Sequence, residues 1–186
     1  KGKLSYYNLD FWLKKGNVHM ETILKHDYMI IIESLKEEER HTGKELYDDL
    51  NKTLGQNFYF EYKEVESATS FKSLLSYIAN RNDYTQPLIH IEAHGSYESS
   101  PYVYFANNDF LTASEMEDYF IKINLKSKFN LVVSFATCFG YNQVAAFADS
   151  VKDNKPFPFF AMNGLKKEIN PSSLLDLYIL FYHFYF

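Results

Sequence analysis

Short apolar runs that alternate with helical segments are the feature of this chain that most restricts its fold. Residues 27–35, 88–93 and 131–136 are such runs, rich in Ile, Val and Phe. Apolar runs of this length are typical of strands that are buried on both faces of a parallel sheet. Between the runs, apolar residues recur at helical spacing, as at Leu46 and Leu50. The alternation predicts an α/β fold with a mostly parallel central sheet and helices on both faces.

The remaining elements are predicted from weaker patterns. Residues 58–65 and 157–162 have the character of strands, and 102–112 predicts a hairpin that turns at Asn107–Asp109. Thr112 and Glu115 form a capping box that opens a helix. The last 13 residues, 174–186, are apolar almost all round and predict either a buried helix or one whose covering partner lies beyond Phe186. This segment is too short to span a bilayer, so no membrane partner is expected.

Charge and cysteine content narrow the class of protein. The 186 residues carry a formal charge of −5, and the 19 Lys and Arg are scattered, which argues against a nucleic-acid partner. One cysteine cannot form an internal disulfide, so a reducing, cytoplasmic location is expected. We expect one domain over residues 27–186, preceded by a segment of unknown role over residues 1–26.

Two apolar runs end in the same way. The stretch "HIEAHG" ends in His94 and Gly95, and "VVSFATCFG" ends in Cys138, Phe139 and Gly140. In parallel sheets, ligands bind beyond the carboxyl ends of the strands, where both side chains would lie. A lone cysteine or histidine is usually structural. A nucleophile and its base must be adjacent in space, however, and the paired strand ends favour that function.

Other kinds of site fail on spacing. His90 and His94 lie in a strand, which would separate them by roughly 13 Å, too far to bind one metal ion. A cysteine phosphatase would need an arginine where Val144 stands, and the chain has no glycine-rich phosphate loop. Glu37–Glu39 are interpreted as a solvated loop. No metal or organic cofactor is expected.

The two strand-end motifs, with the hairpin and helix between them, resemble the caspase-like cysteine proteases and, within that group, CHAT-domain proteases most. The 44 residues from His94 to Cys138 are near the roughly 50 that are usual for caspases. The resemblance extends from residue 27 to about residue 160 and implies a three-layer caspase-like fold. Caspases have Gln-Ala before the cysteine, whereas Ala136 and Thr137 stand here, so specificity for aspartate is not implied.

The resemblance also implies roles for individual residues. Cys138 would attack the scissile carbonyl, and His94 would protonate the leaving amine and then activate water. Backbone N–H groups of Gly95 and Cys138 would face the oxyanion. A backbone carbonyl can orient the imidazole, so no third acid is implied. Further substrate-binding candidates are Ala136, Arg40, His41, Glu92 and Ser96. Ala136 predicts a pocket for an uncharged, apolar residue, unless Glu92 or the loop at Arg40 and His41 contributes a charge.

Two functions remain open from the sequence. The first is an intracellular cysteine endopeptidase that cleaves a protein substrate and, as resemblance to CHAT domains implies, is switched on by a partner protein or a fused sensor domain, in defence or in programmed death. The second is a catalytically silent caspase-like module that binds other proteins. The segment from Gly95 to Phe105 is expected to border the substrate cleft and to be mobile without ligand, and its Ser96 to Pro101 stretch is expected to become ordered when an activating partner binds.

Overall fold

Seven strands and five helices follow one another in the part of the chain that the computed structural model describes, residues 25–96, 102–150 and 156–186. The strands are β1 (Tyr28–Ser34), β2 (Tyr59–Glu64), β3 (Pro87–Gly95), β4 (Tyr102–Tyr104), β5 (Phe110–Thr112), β6 (Val132–Ala136) and β7 (Ala161–Gly164). The helices are α1 (Thr42–Leu54), α2 (Ala68–Asn80), α3 (Ala113–Lys126), α4 (Gly140–Ser150) and α5 (Pro171–Tyr185).

The central sheet has the strand order β2-β1-β3-β6-β7, and all four of these pairings are parallel. The hairpin β4-β5 is antiparallel and pairs with the end of β3, where His94 lies opposite Tyr104. Helices cover both faces of the sheet. The prediction of a three-layer α/β fold with a mostly parallel central sheet is therefore confirmed.

Alternation along the buried strands supplies two apolar cores, one on each face. One core joins the sheet to α2, α3 and α4 through Phe71, Phe120 and Phe147. The other joins it to α1 and α5 through Leu50 and Tyr182. Every residue of β1 is buried, as expected for a strand with helices on both sides.

Side chains fix where the helices begin. The predicted capping box at the start of α3 is present, with Thr112 accepting from the Glu115 N–H and Glu115 accepting in return. Ser67 caps α2 in the same manner, and Asn170 caps α5 before Pro171. Each cap satisfies an otherwise unpaired N–H and contributes about 1 kcal/mol.

The strand predicted over residues 157–162 is found later, at Ala161–Gly164. Pro156 and Pro158 lack the N–H that a sheet ladder requires, so the chain before residue 160 cannot pair as a strand. Instead, the Phe157 carbonyl accepts a hydrogen bond from the Asn124 side chain at 2.9 Å. A strand is therefore present, as predicted, but it begins at Ala161 and not at Phe157.

The C-terminal helix α5 is buried on one face only, so the first predicted alternative, a buried helix, is wrong, and the second, a covering partner beyond Phe186, stays a prediction. Tyr178 and Tyr182 are buried against the sheet, whereas Leu180 is 57% exposed and Phe184 is 84% exposed. None of the described helices combines the length and the apolar character that crossing a membrane requires. The predicted N-terminal segment lies outside the described residues except for residues 25 and 26, and His26 bonds Asn130 on the domain.

Candidate active site

The strand register brings the two strand ends predicted from the sequence side by side. β3 and β6 are parallel neighbours, and Glu92 lies opposite Ala136. His94 and Cys138 each come two residues later on their chains. Neighbouring strands lie about 4.8 Å apart. The histidine and the cysteine therefore leave the same edge of the sheet from adjacent positions.

A close backbone contact holds these two ends together. A Cβ added to Gly95 would overlap the carbonyl oxygen of Cys138 and press on the side chain of Thr137. No residue larger than glycine fits there unless the Cys138 turn moves. Because the φ of Gly95 is not positive, glycine is needed for this close approach rather than for its backbone freedom.

Cys138 sits in a tight turn between β6 and α4. Phe139 adopts a left-handed conformation with φ of 55°, which is costly for a residue with a side chain. The Gly140 N–H closes the turn on the Thr137 carbonyl at 3.0 Å, and a Cβ at Gly140 would overlap the Phe135 carbonyl. The turn leaves Cys138 half-buried and unpaired with any disulfide partner. A strained strand-turn-helix junction of this kind is a common way to present a nucleophile.

His94 is exposed at the end of β3, and its Nε2 atom lies 2.8 Å from Oε1 of Glu39. Glu39 belongs to the loop between β1 and α1, which the sequence predicted to be only solvated. Burial raises the pKa of Glu39, but a hydrogen bond from the Lys36 N–H and the interaction with His94 outweigh it, so the pKa is lowered. Nothing in the sequence distinguishes Glu39 from Glu37 and Glu38, so this contact could be found only from the structure.

Glu92 lies two residues before His94 and is buried, with a side chain only 4% exposed. Burial raises the pKa of its carboxyl well above the usual range, which favours the protonated form of Glu92. Burial also lowers the pKa of His90 to about 3, so that imidazole is neutral. The Tyr182 hydroxyl donates to Ser134 and accepts from Nδ1–H of His90 at 2.9 Å, so Nε2 of this neutral ring is an acceptor and a protonated Glu92 donates its O–H to Nε2 over 3.3 Å.

The network continues from Tyr182 to the hydroxyl of Ser134 at 2.9 Å, which also accepts from Asn163. The second carboxyl oxygen of Glu92, Oε1, has no hydrogen-bond partner within the described part of the chain. Glu92 therefore contributes a neutral carboxyl, not a fixed negative charge, next to the strand ends. His90 is a core residue, as its place in the strand predicted.

Arg40 and His41 are held by other residues of the protein. The guanidinium of Arg40 makes a bidentate pair with Glu45, with both bonds at 2.7 Å, and also donates to the Ser172 hydroxyl. Nδ1 of His41 lies 2.9 Å from the buried carboxylate of Glu33. The hydrogen bond to Glu33 raises the pKa of His41 despite partial desolvation.

Glu33 anchors this side of the site. Its carboxylate is fully buried and accepts hydrogen bonds from the Gly43 N–H and the Tyr62 hydroxyl, both at 2.6 Å, besides the one from His41. The strand register pairs Glu33 with Glu92. The loop that follows β1 therefore emerges beside the end of β3.

Of the other predicted substrate-binding residues, Ala136 is buried at 1% exposure at the end of β6. The hydroxyl of Ser96 accepts from the Tyr102 N–H at 3.2 Å. Residues 97–101, predicted to become ordered on partner binding, lie outside the described residues. The structure thus gathers His94, Cys138 and Ala136 at one edge, while Arg40 makes its contacts with α1 and α5.

One group of side chains in the described residues has the donor atoms for a metal ion. Oxygen atoms of Glu33 and Glu64 and a ring nitrogen of His41 lie within 4.8 Å of one another. Nδ1 of His41 is 2.9 Å from Glu33 and 3.5 Å from Glu64. Protonation of His41 pairs it with both carboxylates and cancels one of their two negative charges.

Comparisons with known proteins add little to this geometry. No protein-family model matches the chain, and no curated protein matches it in sequence. Among solved structures, the Drosophila initiator caspase Dronc aligns with a TM-score of 0.47 and 14% identity. The alignment covers 62% of this chain and 51% of the Dronc chain, so it spans about half the length of that structure. This similarity is too distant to decide the fold, which rests on the strand order and layers described above.

Proposed function

We propose that this chain is a caspase-like cysteine endopeptidase that uses Cys138 as nucleophile and His94 as acid and base. The observation that carries the proposal is the contact between the two strand ends, in which Gly95 packs against the backbone of Cys138. This contact, with the β3–β6 register, brings together the residue types that thiol-dependent hydrolysis needs.

The proposed reaction proceeds in two stages. The Cys138 thiolate attacks the carbonyl carbon of the scissile peptide and forms a C–S bond. The C–N bond then breaks as the His94 imidazolium gives its proton to the leaving amine. In the second stage, His94 takes a proton from water, the hydroxide attacks the thioester, and the C–S bond breaks to regenerate the thiolate.

Backbone N–H groups of Gly95 and Cys138 are the proposed oxyanion donors. Losing one such donor typically raises the barrier by about 3 kcal/mol. The pocket beside them takes an uncharged, apolar substrate residue, because Ala136 offers no polar group and the carboxyl of Glu92 is buried and hydrogen-bonded to His90. The charge of Arg40 is already paired with Glu45.

The proposed setting is the reducing interior of a cell, because a thiol nucleophile must stay reduced. The proposed substrate is a protein, and the enzyme is of the CHAT type, switched on by a partner protein or a fused sensor domain, with a role in defence. The two strand-end motifs support this finer assignment. No metal or organic cofactor enters the reaction.

A catalytically silent binding module is the second candidate. Leu180 and Phe184 stand exposed on α5, and apolar side chains of this size often mark a surface that a partner covers. Under this alternative, Cys138 and His94 would remain at the strand ends without reacting.

A cleavage experiment separates the two candidates. The full chain is incubated with lysate proteins, new N-termini are identified by mass spectrometry, and Cys138→Ser serves as the matched control. The peptidase predicts N-termini that depend on Cys138, together with labelling of Cys138 by an electrophilic peptide ketone. No such N-termini and no labelling, in lysates that contain the native partners, would support the silent module.

A further inference from the structure

The carboxylate of Glu39 is held on both of its oxygens. The Lys36 N–H donates to Oε2 at 2.7 Å, and Oε1 faces Nε2 of His94 at 2.8 Å. The Glu39 N–H also donates a hydrogen bond to the Lys36 carbonyl at 2.9 Å, and this bond closes the turn that directs the Glu39 side chain towards His94. The carboxylate is therefore aimed at His94 before any substrate arrives.

The position of this loop follows from the sheet. β1 and β3 are parallel neighbours, and their last paired residues are Ser34 and Ala93. The chain that follows Ser34 emerges next to His94. Residues 35–41 therefore lie at the same edge of the sheet as the imidazole and can contact it. Glu39 is the residue of this loop whose side chain makes the contact.

The protonation states decide what the contact does. The lowered pKa of Glu39 makes its carboxyl ionised at neutral pH, so both oxygens are acceptors. The nitrogen that it faces must then carry the hydrogen, and Nε2–H of His94 donates to Glu39. In a neutral imidazole only one nitrogen carries a hydrogen, which leaves Nδ1 as the basic atom.

We propose that Glu39 is a positioning residue that fixes the tautomer and orientation of His94, so that Nδ1 exchanges the protons of the reaction. This inference rests on the proposed peptidase function and replaces the backbone carbonyl that the family resemblance implied for this task. Glu39 does not touch the reacting atoms and acts only through His94.

Surface exposure limits the strength of the contact in the free protein. The side chains of His94 and Glu39 are 52% and 31% exposed, and an exposed ion pair of this kind adds little to stability. A substrate that covers the edge would exclude water and strengthen the bond. Substituting Glu39 should therefore change the tautomer of His94 and the rate of the reaction, with little change in the stability of the fold.

The tautomer of His94 can be measured directly by long-range ¹⁵N–¹H NMR at about pH 8.5, two units above an ordinary imidazole pKa. The signals of His94 among the six histidines are assigned by their loss in His94→Gln. We expect the Nε2–H tautomer in the wild type and a mixture of both tautomers in Glu39→Ala. Glu38→Ala, which removes the same charge from the neighbouring exposed position, is the matched control and should keep the wild-type spectrum.

A second readout is the rate at which a small alkylating reagent modifies Cys138. Glu39→Ala should lower this rate by up to about fivefold, the effect of losing one exposed ion pair. Glu39→Asp should restore part of it, and Glu38→Ala should leave it unchanged. Circular dichroism of each variant shows that the fold is intact.

The outcomes distinguish this proposal from the function on which it rests. The positioning role of Glu39 is overturned if His94 of the wild type shows both tautomers, or if Glu39→Ala leaves the NMR spectrum of His94 unchanged. Either result counts even if peptides are cleaved. A fixed Nε2–H tautomer that Glu39→Ala releases supports it, even if Cys138 proves unreactive and the peptidase function fails.

Discussion

Gly95 packs its backbone against the carbonyl oxygen of Cys138, so the end of β3 and the turn after β6 touch where a side chain cannot fit. This contact turns two separate sequence motifs into one structural unit. It also makes the relative position of His94 and Cys138 depend on a single residue.

Gly95→Ala should therefore separate the two strand ends. The new methyl group forces a backbone shift that costs about 1–3 kcal/mol, the usual range for overpacking. We expect a lower melting temperature and a large loss of Cys138 labelling by a peptide ketone. Full labelling at unchanged stability would show that the close approach is not needed.

Glu92→Gln should stabilise the protein at neutral and alkaline pH. Burial raises the pKa of Glu92 in the folded protein, whereas the unfolded chain ionises above its ordinary value of 4.5. Wild-type stability is thus fully present below pH 4.5 and falls as the pH rises towards the folded pKa, by up to about 1.4 kcal/mol per unit. Glutamine removes that loss, so the advantage of the variant should grow with pH in urea unfolding.

Glu33→Gln is the matched control, because Glu33 and Glu92 are register partners on neighbouring strands. The Glu33 carboxylate accepts three hydrogen bonds in a fully buried position. Weakening such charge-assisted bonds costs about 1.5–3 kcal/mol each, so this variant should be destabilised. If both substitutions change the free energy of unfolding in the same direction, the account of Glu92 as a protonated carboxyl and Glu33 as a hydrogen-bonded carboxylate is wrong.

His41→Gln should remove stability in a pH-dependent way. The hydrogen bond to Glu33 raises the pKa of His41 when folded, above the ordinary value of 6.5. Its stabilising charge is therefore fully present below about pH 6.5 and is lost as the pH rises through the folded pKa. We expect a difference of about 1 kcal/mol from the wild type in urea unfolding near pH 6 that shrinks by pH 9. A constant difference would contradict this assignment.

Peptide-library profiling tests the predicted pocket. An uncharged, apolar residue should be preferred before the cleaved bond, and Arg40→Ala should leave this preference unchanged because Arg40 is occupied by Glu45 and Ser172. Selection for Asp would instead implicate Arg40. Selection for Lys or Arg would mean that Glu92 ionises when a cation arrives.

The sequence predicted the sheet and the edge at which His94 and Cys138 lie. Apolar runs at β1, β3 and β6 are long enough to indicate buried parallel strands, and the residues that follow them must lie at one edge. His94 and Cys138 could be proposed for that reason. The start of β7 was predicted too early because the apolar residues from Phe157 onwards have strand character, whereas the prolines at 156 and 158 prevent pairing there.

Side-chain partners across the fold could not be predicted in the same way. Three consecutive glutamates precede Arg40, and the turn at Lys36 selects Glu39 among them. The raised pKa of Glu92 comes from its burial, and its partner His90 is covered by Tyr178 and Tyr182 of α5, a contact that only the packing of that helix determines. The single buried face of α5 likewise follows from its contact with the sheet, because its sequence is apolar almost all round and does not mark one face for burial.

The most direct test of the Cys138–His94 pair is the alkylation rate of Cys138 by iodoacetamide, a reagent small enough to need no substrate pocket. Cys138 is the chain's single cysteine, so the rate belongs to one site. His94→Ala should slow the reaction roughly tenfold or more, which corresponds to about 1.4 kcal/mol in the barrier. His183→Ala, which removes a similarly exposed histidine paired with Asp49 on another face, should leave it unchanged. Equal rates in the wild type and His94→Ala would contradict the proposed dyad.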